Sequence, residues 1–248
     1  MLTELRKRLL LDHLRKKGRI IAKEMSRNLK LSEDTIRRDL RELAADGKLL
    51  RVHGGALPAS PTVKSLQSRR SISTKEKEQL GRAGAKMIHE NQIVFVDGGT
   101  TNLELVKAIP LNLPFELFTH SPSIAAALEH HEAVKVHIIG GVLFRHSMVT
   151  IGAVTLEGIN NMRFDLCFIG ANGWHAEEGL TTGDFEEATI KRAVIDRSAE
   201  SVLLLTSDKL GTVSRHRICA VSALSKTVVT ASSKLKMPKA LASKILRV

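Results

Sequence analysis

The positive charge of this chain is segregated. Residues 1–70 hold 18 Lys+Arg against 8 Asp+Glu, a net of +10, whereas residues 71–248 hold 20 against 18, a net of +2. Such a split describes a basic module joined to a nearly neutral body, and a length of 248 residues accommodates the two folding units this requires. Hydrophobic and charged fractions of 43% and 26% sit near globular averages, which excludes wholesale disorder and a membrane bundle. The longest apolar runs, such as Ile93 to Val96 and Val202 to Leu205, fall well short of the roughly 20 residues of a spanning helix. Glu4, Arg6, Lys7, Arg8 and Asp12 interrupt the first leucines, so no signal-peptide segment is present and a cytoplasmic protein is expected. Cys167 and Cys219, the only cysteines, stand in apolar company and are expected to be buried thiols, neither a disulfide nor a metal pair.

Within the basic module, Leu2, Leu5 and Leu9, with Leu10 and Leu14 alongside, recur at helical spacing until Arg15-Lys16-Lys17-Gly18. A second short helix is expected from Ile21 or Ala22 to Leu29, and a third from Ser32, a natural N-cap. Helix three carries Ile36, Leu40 and Leu43 at i, i+4 and i+7, one narrow stripe to bury. Asp34, Arg38, Arg41 and Glu42 lie opposite, with Thr35 and Arg37 on the flanks. Two short helices joined by a tight turn, the second presenting guanidinium groups and a hydroxyl, meet the requirements of a helix lying in a DNA major groove. A solvated charged face is the plain alternative. After Asp46-Gly47, the run from Lys48 to Leu57 passes through a Gly54-Gly55 turn and reads as a wing hairpin. Candidate DNA-contacting residues are thus Ser32, Thr35, Arg37, Arg38 and Arg41, with Arg51, His53, Gly54 and Gly55 of the wing. Which arginines read bases and which grip phosphates is open at this level.

The run Leu31-Ser32-Glu33-Asp34-Thr35-Ile36-Arg37-Arg38-Asp39-Leu40, then Leu43, Gly47, Leu49 and Arg51-Val52-His53-Gly54-Gly55-Ala56, closely resembles the amino-terminal signature of the DeoR family of bacterial transcription regulators. The TIRRDL core and HGGA wing occur together at the right separation, and the rest of the chain agrees with the family.

Pro58, Ser60, Pro61, Ser65 and Ser68 break up residues 58–73, giving domains at 1–57 and 74–248 with a linker between them. Past a helix at Glu76 to His89, short apolar segments beginning with Ile93 to Val96 alternate with helical ones, as in a largely parallel α/β sheet covered on both faces. In such sheets anions bind at the carboxyl ends of strands. Asp97-Gly98-Gly99-Thr100-Thr101 stands there, opening a helix expected near Asn102; an ordinary βα turn is the plain alternative. Neither a Walker A loop nor a GxGxxG fingerprint is present, so no nucleotide cofactor is indicated. Thr119-His120-Ser121, Gly140-Gly141 leading to Arg145, and Gly170-Ala171-Asn172-Gly173 have the same position and character. Asp184, Glu187 and Lys191 fall on one side of a helix, and Lys209 belongs to a turn through Gly211. Hydroxyls, amides and lysines suit a phosphorylated polyol, although a solvent-exposed Glu187–Lys191 pair would need no ligand.

The resemblance implies a winged helix-turn-helix followed by an effector sensor whose fold is similar to ribose-5-phosphate isomerases and CoA-transferase-like domains. The family's D-x-G-T-T, T-N-S and G-G loops, D-x-x-E-x-x-x-K helix and K-F-G turn match Asp97 to Thr101, Thr119 to Ser121, Gly140-Gly141, Asp184 with Glu187 and Lys191, and Lys209 to Gly211. His120 replaces the usual Asn, Leu210 the usual Phe, and Ala231 follows Val229-Thr230 where an Asp is common, which leaves the effector's identity open.

A sugar-phosphate isomerase needs a carboxylate base beside its substrate. Related isomerases place paired acids in a G-A-D-E loop where this chain has Gly170-Ala171-Asn172-Gly173, and neither Asn nor Gly exchanges protons near neutral pH. The expectation is a regulator, most simply a repressor of a carbohydrate operon, with operator DNA and a phosphorylated effector as partners and no cofactor or metal. A homodimer or homotetramer is expected because paired half-sites raise affinity. An active isomerase tethered to DNA is the alternative, and a non-specific chromosome-associated protein would leave the loops of 97–211 unexplained.

Overall fold

The computed structural model describes residues 2–60, 65–233 and 239–248. The basic module comprises α1 (Thr3–Lys17), β1 (Ile20–Ile21), α2 (Ala22–Leu29), α3 (Glu33–Ala45), β2 (Leu49–Val52) and β3 (Gly55–Pro58). Gly18 ends α1 in the left-handed region at φ 74°, and the Ser32 hydroxyl caps α3 by accepting the Thr35 N–H at 3.2 Å. Ile36, Leu40 and Leu43 are buried against Leu10, Leu14, Ile20 and Met25, so the stripe faces inward as its spacing requires. The wing is a three-stranded sheet in the order β1-β3-β2. The sequence pattern did not mark β1, because two residues carry no period of their own, and α2 starts at Ala22, the later of the two starts expected for helix two. Gly55 is the reason the sheet closes: a Cβ there would stand 1.8 Å from the carbonyl oxygen of Ile20.

The stretch expected as a linker is structured at both ends, while residues 61–64 of it lie outside the described residues. The chain leaves β3 in contact with the larger domain. Val213 N–H donates to the Pro58 carbonyl at 3.0 Å, Ser60 N–H donates to that of Val213 at 2.9 Å, and Ser60 Oγ donates to the Asn172 carbonyl at 2.7 Å. Then comes a single turn of helix, α4 (Leu66–Arg69), capped by Ser65, before α5 (Thr74–Ala85).

The larger domain continues with β4 (Ile93–Val96), α6 (Thr100–Lys107), β5 (Phe115–Thr119), α7 (Pro122–Ala126), β6 (Val134–Ile138), β7 (Val142–Phe144), β8 (Val149–Ile151), α8 (Ala153–Asn160) and β9 (Phe164–Ile169). It ends with β10 (Gly173–His175), β11 (Gly179–Thr182), α9 (Phe185–Asp196), β12 (Ser198–Leu204), β13 (His216–Cys219), β14 (Lys226–Val229) and β15 (Ile245–Arg247). Seven strands form one parallel sheet in the order β15-β14-β12-β9-β4-β5-β6. Alternation along each strand feeds two cores. Val94, Val96, Leu166 and Phe168 pack with α5, α6 and α7 on one face, and Phe95, Cys167 and Ile169 with α8 and α9 on the other. Two antiparallel additions, β10-β11-β13 and the β7-β8 hairpin, lie outside this sheet and were not expected from the segment pattern. Cys167 is buried as expected, but Cys219 is only half-buried; both are free thiols, and burial pushes their pKa values up to about 12 and about 11. Among the described residues no helix is long and apolar enough to cross a membrane.

Candidate functional site

Two candidate sites are present, one on each domain. On α3, Thr35 is partly buried and its hydroxyl lies 2.9 Å from that of Ser32, so these two residues serve the cap as well as the surface. Arg37 donates to Glu33 at 2.8 Å, whereas Arg38 and Arg41 are exposed and make no ion pair among the described residues. Arg51 and His53 project from the wing, Gly54 turns it at φ 76°, and Gly55 is buried beneath β1. Arg6, one of the charges interleaved among the first leucines, is buried against Asp39.

The second site lies where β4 and β9, the central strands of the large sheet, end side by side. Asp97 leaves β4 fully buried, and both its oxygens are occupied. Oδ1 faces His120 Nε2 at 2.8 Å; Oδ2 accepts the Gly170 N–H at 2.7 Å and the ammonium of Lys191. The other nitrogen of His120, Nδ1, lies 2.8 Å from the Thr150 carbonyl, so the ring is held between the Asp97 carboxylate and the backbone of β8. Burial opposes a charge on Asp97, yet Lys191 and His120 overcome it and hold the carboxyl well below the usual range. For Lys191 burial is likewise outweighed, here by Asp97 and Glu187, and its pKa is raised. Asp97 is therefore a hub that binds three loops together. Gly170 has to be glycine for this contact, because a Cβ would stand 2.9 Å from the Gly98 carbonyl oxygen and 3.1 Å from Asp97 Oδ2.

Around the hub is a small cavity with a free volume of about 30 Å³, lined by Gly98, Gly99, Gly170, Asn172, Glu187, Lys191 and Lys209 from the sequence-derived set, together with Arg69, Ser147 and Ala171. Gly99, at φ 135°, precedes α6, whose first amides lack partners within the helix. Lys209 Nζ donates to the Ala171 carbonyl at 2.9 Å and makes no ion pair among the described residues. Burial, with Arg69 nearby, pushes its pKa down to about 8.

Other expected residues serve the walls. The helix starts at Thr100, two residues earlier than expected, and Thr100 and Thr101 are buried in its first turn. Thr119 Oγ1 donates to the Val96 carbonyl at 2.6 Å, and Ser121 Oγ to that of Met148 at 3.0 Å. Gly140, Gly141 and Arg145 do not line the cavity; Gly140 accepts the Thr155 hydroxyl at 2.7 Å, and Arg145 is exposed. Asp184 caps α9 by accepting the Glu187 N–H at 3.0 Å and borders a separate groove of about 440 Å³ between the two domains. Glu187 and Lys191 are both buried, which removes the reading of an exposed helical pair. Arg69 was missed because it sits in a stretch broken by Pro and Ser, with no pattern to connect it to strand ends far along the chain.

A DeoR-like helix-turn-helix domain model matches residues 6–62, and a DeoR C-terminal sensor domain model matches residues 72–231. The chain belongs to the DeoR family. Among curated relatives of this DeoR-family regulator, the HTH-type transcriptional regulator GlpR of Haloferax volcanii is 34% identical over 75% of this chain and 74% of that protein. The glycerol-3-phosphate regulon repressor of Escherichia coli is 30% identical over 82% and 81%. The HTH-type transcriptional repressor GlcR of Bacillus subtilis is 29% identical over 84% and 81%. Among solved structures, ribose 5-phosphate isomerase A of Methanocaldococcus jannaschii aligns with a TM-score of 0.40 at 15% identity over 54% of this chain and 53% of that one. Family membership makes the chain a DNA-binding transcription regulator, not an enzyme.

Proposed function

We propose that this DeoR-family regulator represses a carbohydrate catabolic operon and leaves its operator when a phosphorylated sugar-type effector occupies the cavity around Lys191 and Lys209. The observation that carries this reading is the charge balance there. Asp97 already neutralises Lys191, whereas Lys209 sits beside the Gly98-Gly99 loop with no ion pair among the described residues. A cation, loop glycines and unpartnered helix amides together favour an anion. Two relatives support the class by name, one a glycerol-3-phosphate regulon repressor and another a transcriptional repressor. The effector must bind the low-affinity state better than the operator-bound state; otherwise it releases nothing.

On the DNA side, Arg38 and Arg41 with Arg51 and His53 are the contacts favoured by exposure, while Ser32, Thr35 and Arg37 are partly committed to the helix itself. A homodimer or homotetramer, working in the cytoplasm, would place two recognition helices on paired half-sites about 34–36 Å apart. Gel-shift titration tests the whole reading. Saturable binding to a promoter fragment containing repeats should be relieved by a phosphosugar and not by the free sugar. Equal affinity for random DNA at all salt concentrations would refute it.

A further inference from the structure

One wall of the sensor cavity comes from outside the sensor fold. α4 belongs to the segment that joins the two domains, and its last residue, Arg69, lines the cavity with Gly98, Gly99, Ser147, Lys191 and Lys209. The backbone there is held firmly: Leu66 N–H donates to the His146 carbonyl at 3.0 Å, and the Arg69 carbonyl accepts the Lys77 ammonium at 2.5 Å. The guanidinium is placed at a cost. Its Nε is buried without a hydrogen-bond partner. It makes no ion pair among the described residues, and its charge opposes those of Lys77, Lys191 and Lys209. Glu187 provides counter-charge only at longer range.

A buried donor left without an acceptor is unfavourable, and native proteins seldom keep one unless an absent partner supplies the acceptor. Phosphoryl oxygens are such acceptors, and a guanidinium fork matches them better than an ammonium does. The free volume of about 30 Å³ holds only about two waters. The cavity is partly open to solvent, so it can receive a phosphoryl group while the rest of an effector extends outward, and Arg69 stands in the wall that such a group would meet. The strands and α6 belong to the cores of the large domain, whereas α4 is a single turn outside the sheet, anchored by Leu66 and by the Arg69 carbonyl.

We propose that Arg69 is an effector-binding residue: with Lys209 and the Gly98-Gly99 loop it grips the phosphoryl group, so that the interdomain helix α4 itself reads occupancy of the sensor. The proposal rests on the anion-binding reading of the cavity given above. It supplies a route to the DNA-binding module, because the chain entering α4 has just left Ser60, whose hydroxyl donates to the carbonyl of the cavity residue Asn172.

The test uses the full chain, titrated calorimetrically with inorganic phosphate and with pentose, hexose and triose monophosphates. For those that bind the wild type, Arg69→Gln should weaken affinity at least tenfold and Arg69→Lys by less. Arg70→Gln, an exposed neighbour on the same segment, should leave affinity unchanged. Hydrogen exchange on the unaltered protein is the second measurement, and saturating ligand should change protection of residues 66–69. Arg69→Gln binding within twofold of wild type, or unchanged exchange at 66–69, would overturn the role of Arg69 and leave the cavity reading intact. If none of these anions binds the wild type, the cavity reading falls and Arg69 with it.

Discussion

Arg6 of α1 and Asp39 of α3 form a two-point ion pair inside the DNA-binding module, with Nε donating to Oδ2 and Nη2 donating to Oδ1 at 2.8 Å. Asp39 has no exposure and Arg6 only 5%. The pair fixes the recognition helix against the first helix at its middle, between the apolar contacts of Ile36 and Leu40. Removing one partner leaves the other charged and buried. Asp39→Ala is expected to destabilise the DNA-binding module by about 3–5 kcal/mol, measured by denaturant unfolding. The double replacement of Arg6 and Asp39 by apolar residues should recover much of that loss.

Arg38 distinguishes base reading from phosphate gripping. Arg38→Ala should weaken operator binding while effector binding persists. If Arg38 grips a phosphate, the slope of log affinity against log salt should fall by about 0.9 and sequence preference should survive. If it reads guanine, discrimination at one base pair should drop by about 1–3 kcal/mol. Arg37, engaged with Glu33, should cost less in either case. An unchanged dissociation constant for Arg38→Ala would contradict the assignment of α3 as the recognition helix.

If Lys209 meets the effector's phosphoryl group as proposed, effector binding will be sensitive to pH. Its pKa is depressed to about 8, so in the unliganded protein its charge is lost as pH rises through about 8. Affinity for a phosphorylated ligand should therefore decline above pH 8, and binding near that pH should take up protons. Titration calorimetry in two buffers of different ionisation enthalpy measures the uptake, and Lys209→Met should abolish it. The stability effect has the opposite sign. The unfolded lysine keeps its proton to about 10.4, so between about 8 and 10.4 the unfolded state binds more protons and this group's contribution to folding stability rises with pH.

Gly170→Ala tests the hub. The added methyl would press on the Gly98 carbonyl and on Asp97 Oδ2, the atom that accepts both the Gly170 N–H and Lys191. Overpacking of this kind typically costs about 1–3 kcal/mol. Thermal unfolding should register the loss, and ligand affinity should fall with it while operator binding by the amino-terminal module is retained. Wild-type stability and affinity would mean that the β4 and β9 loops do not need this close approach.

The legible parts of the molecule share one property: their signal is local. The stripe of Ile36, Leu40 and Leu43, the Ser32 cap and the Gly18 stop each depend on residues within a few positions, and each is found where spacing placed it. The Ile93 to Val96 strand is likewise at its expected bounds. Local signals failed where elements are too short to carry a period, as in β1 and the β7-β8 hairpin, and where a polar residue's partner is remote. Nothing near Asp97 in sequence announces that Lys191 and Gly170 will consume its lone pairs.

The sequence by itself determined the division into a basic module and a neutral α/β body, the identity of the burying faces, and the set of glycine-rich loops at strand ends, because charge, period and backbone freedom are written in neighbouring residues. Only the tertiary structure decided which of those loops meet. It brought the ends of β4 and β9 together, turned Asp184, Gly140 and Arg145 away from the cavity, buried Arg6, and carried Arg69 into the sensor wall. The reason is that strand order in a parallel sheet is not sequence order: β9 lies beside β4 although the four strands β5 to β8 and the helices α6, α7 and α8 intervene between them in the chain, so contacts between distant residues are set by which sheet edge and which face each crossover takes.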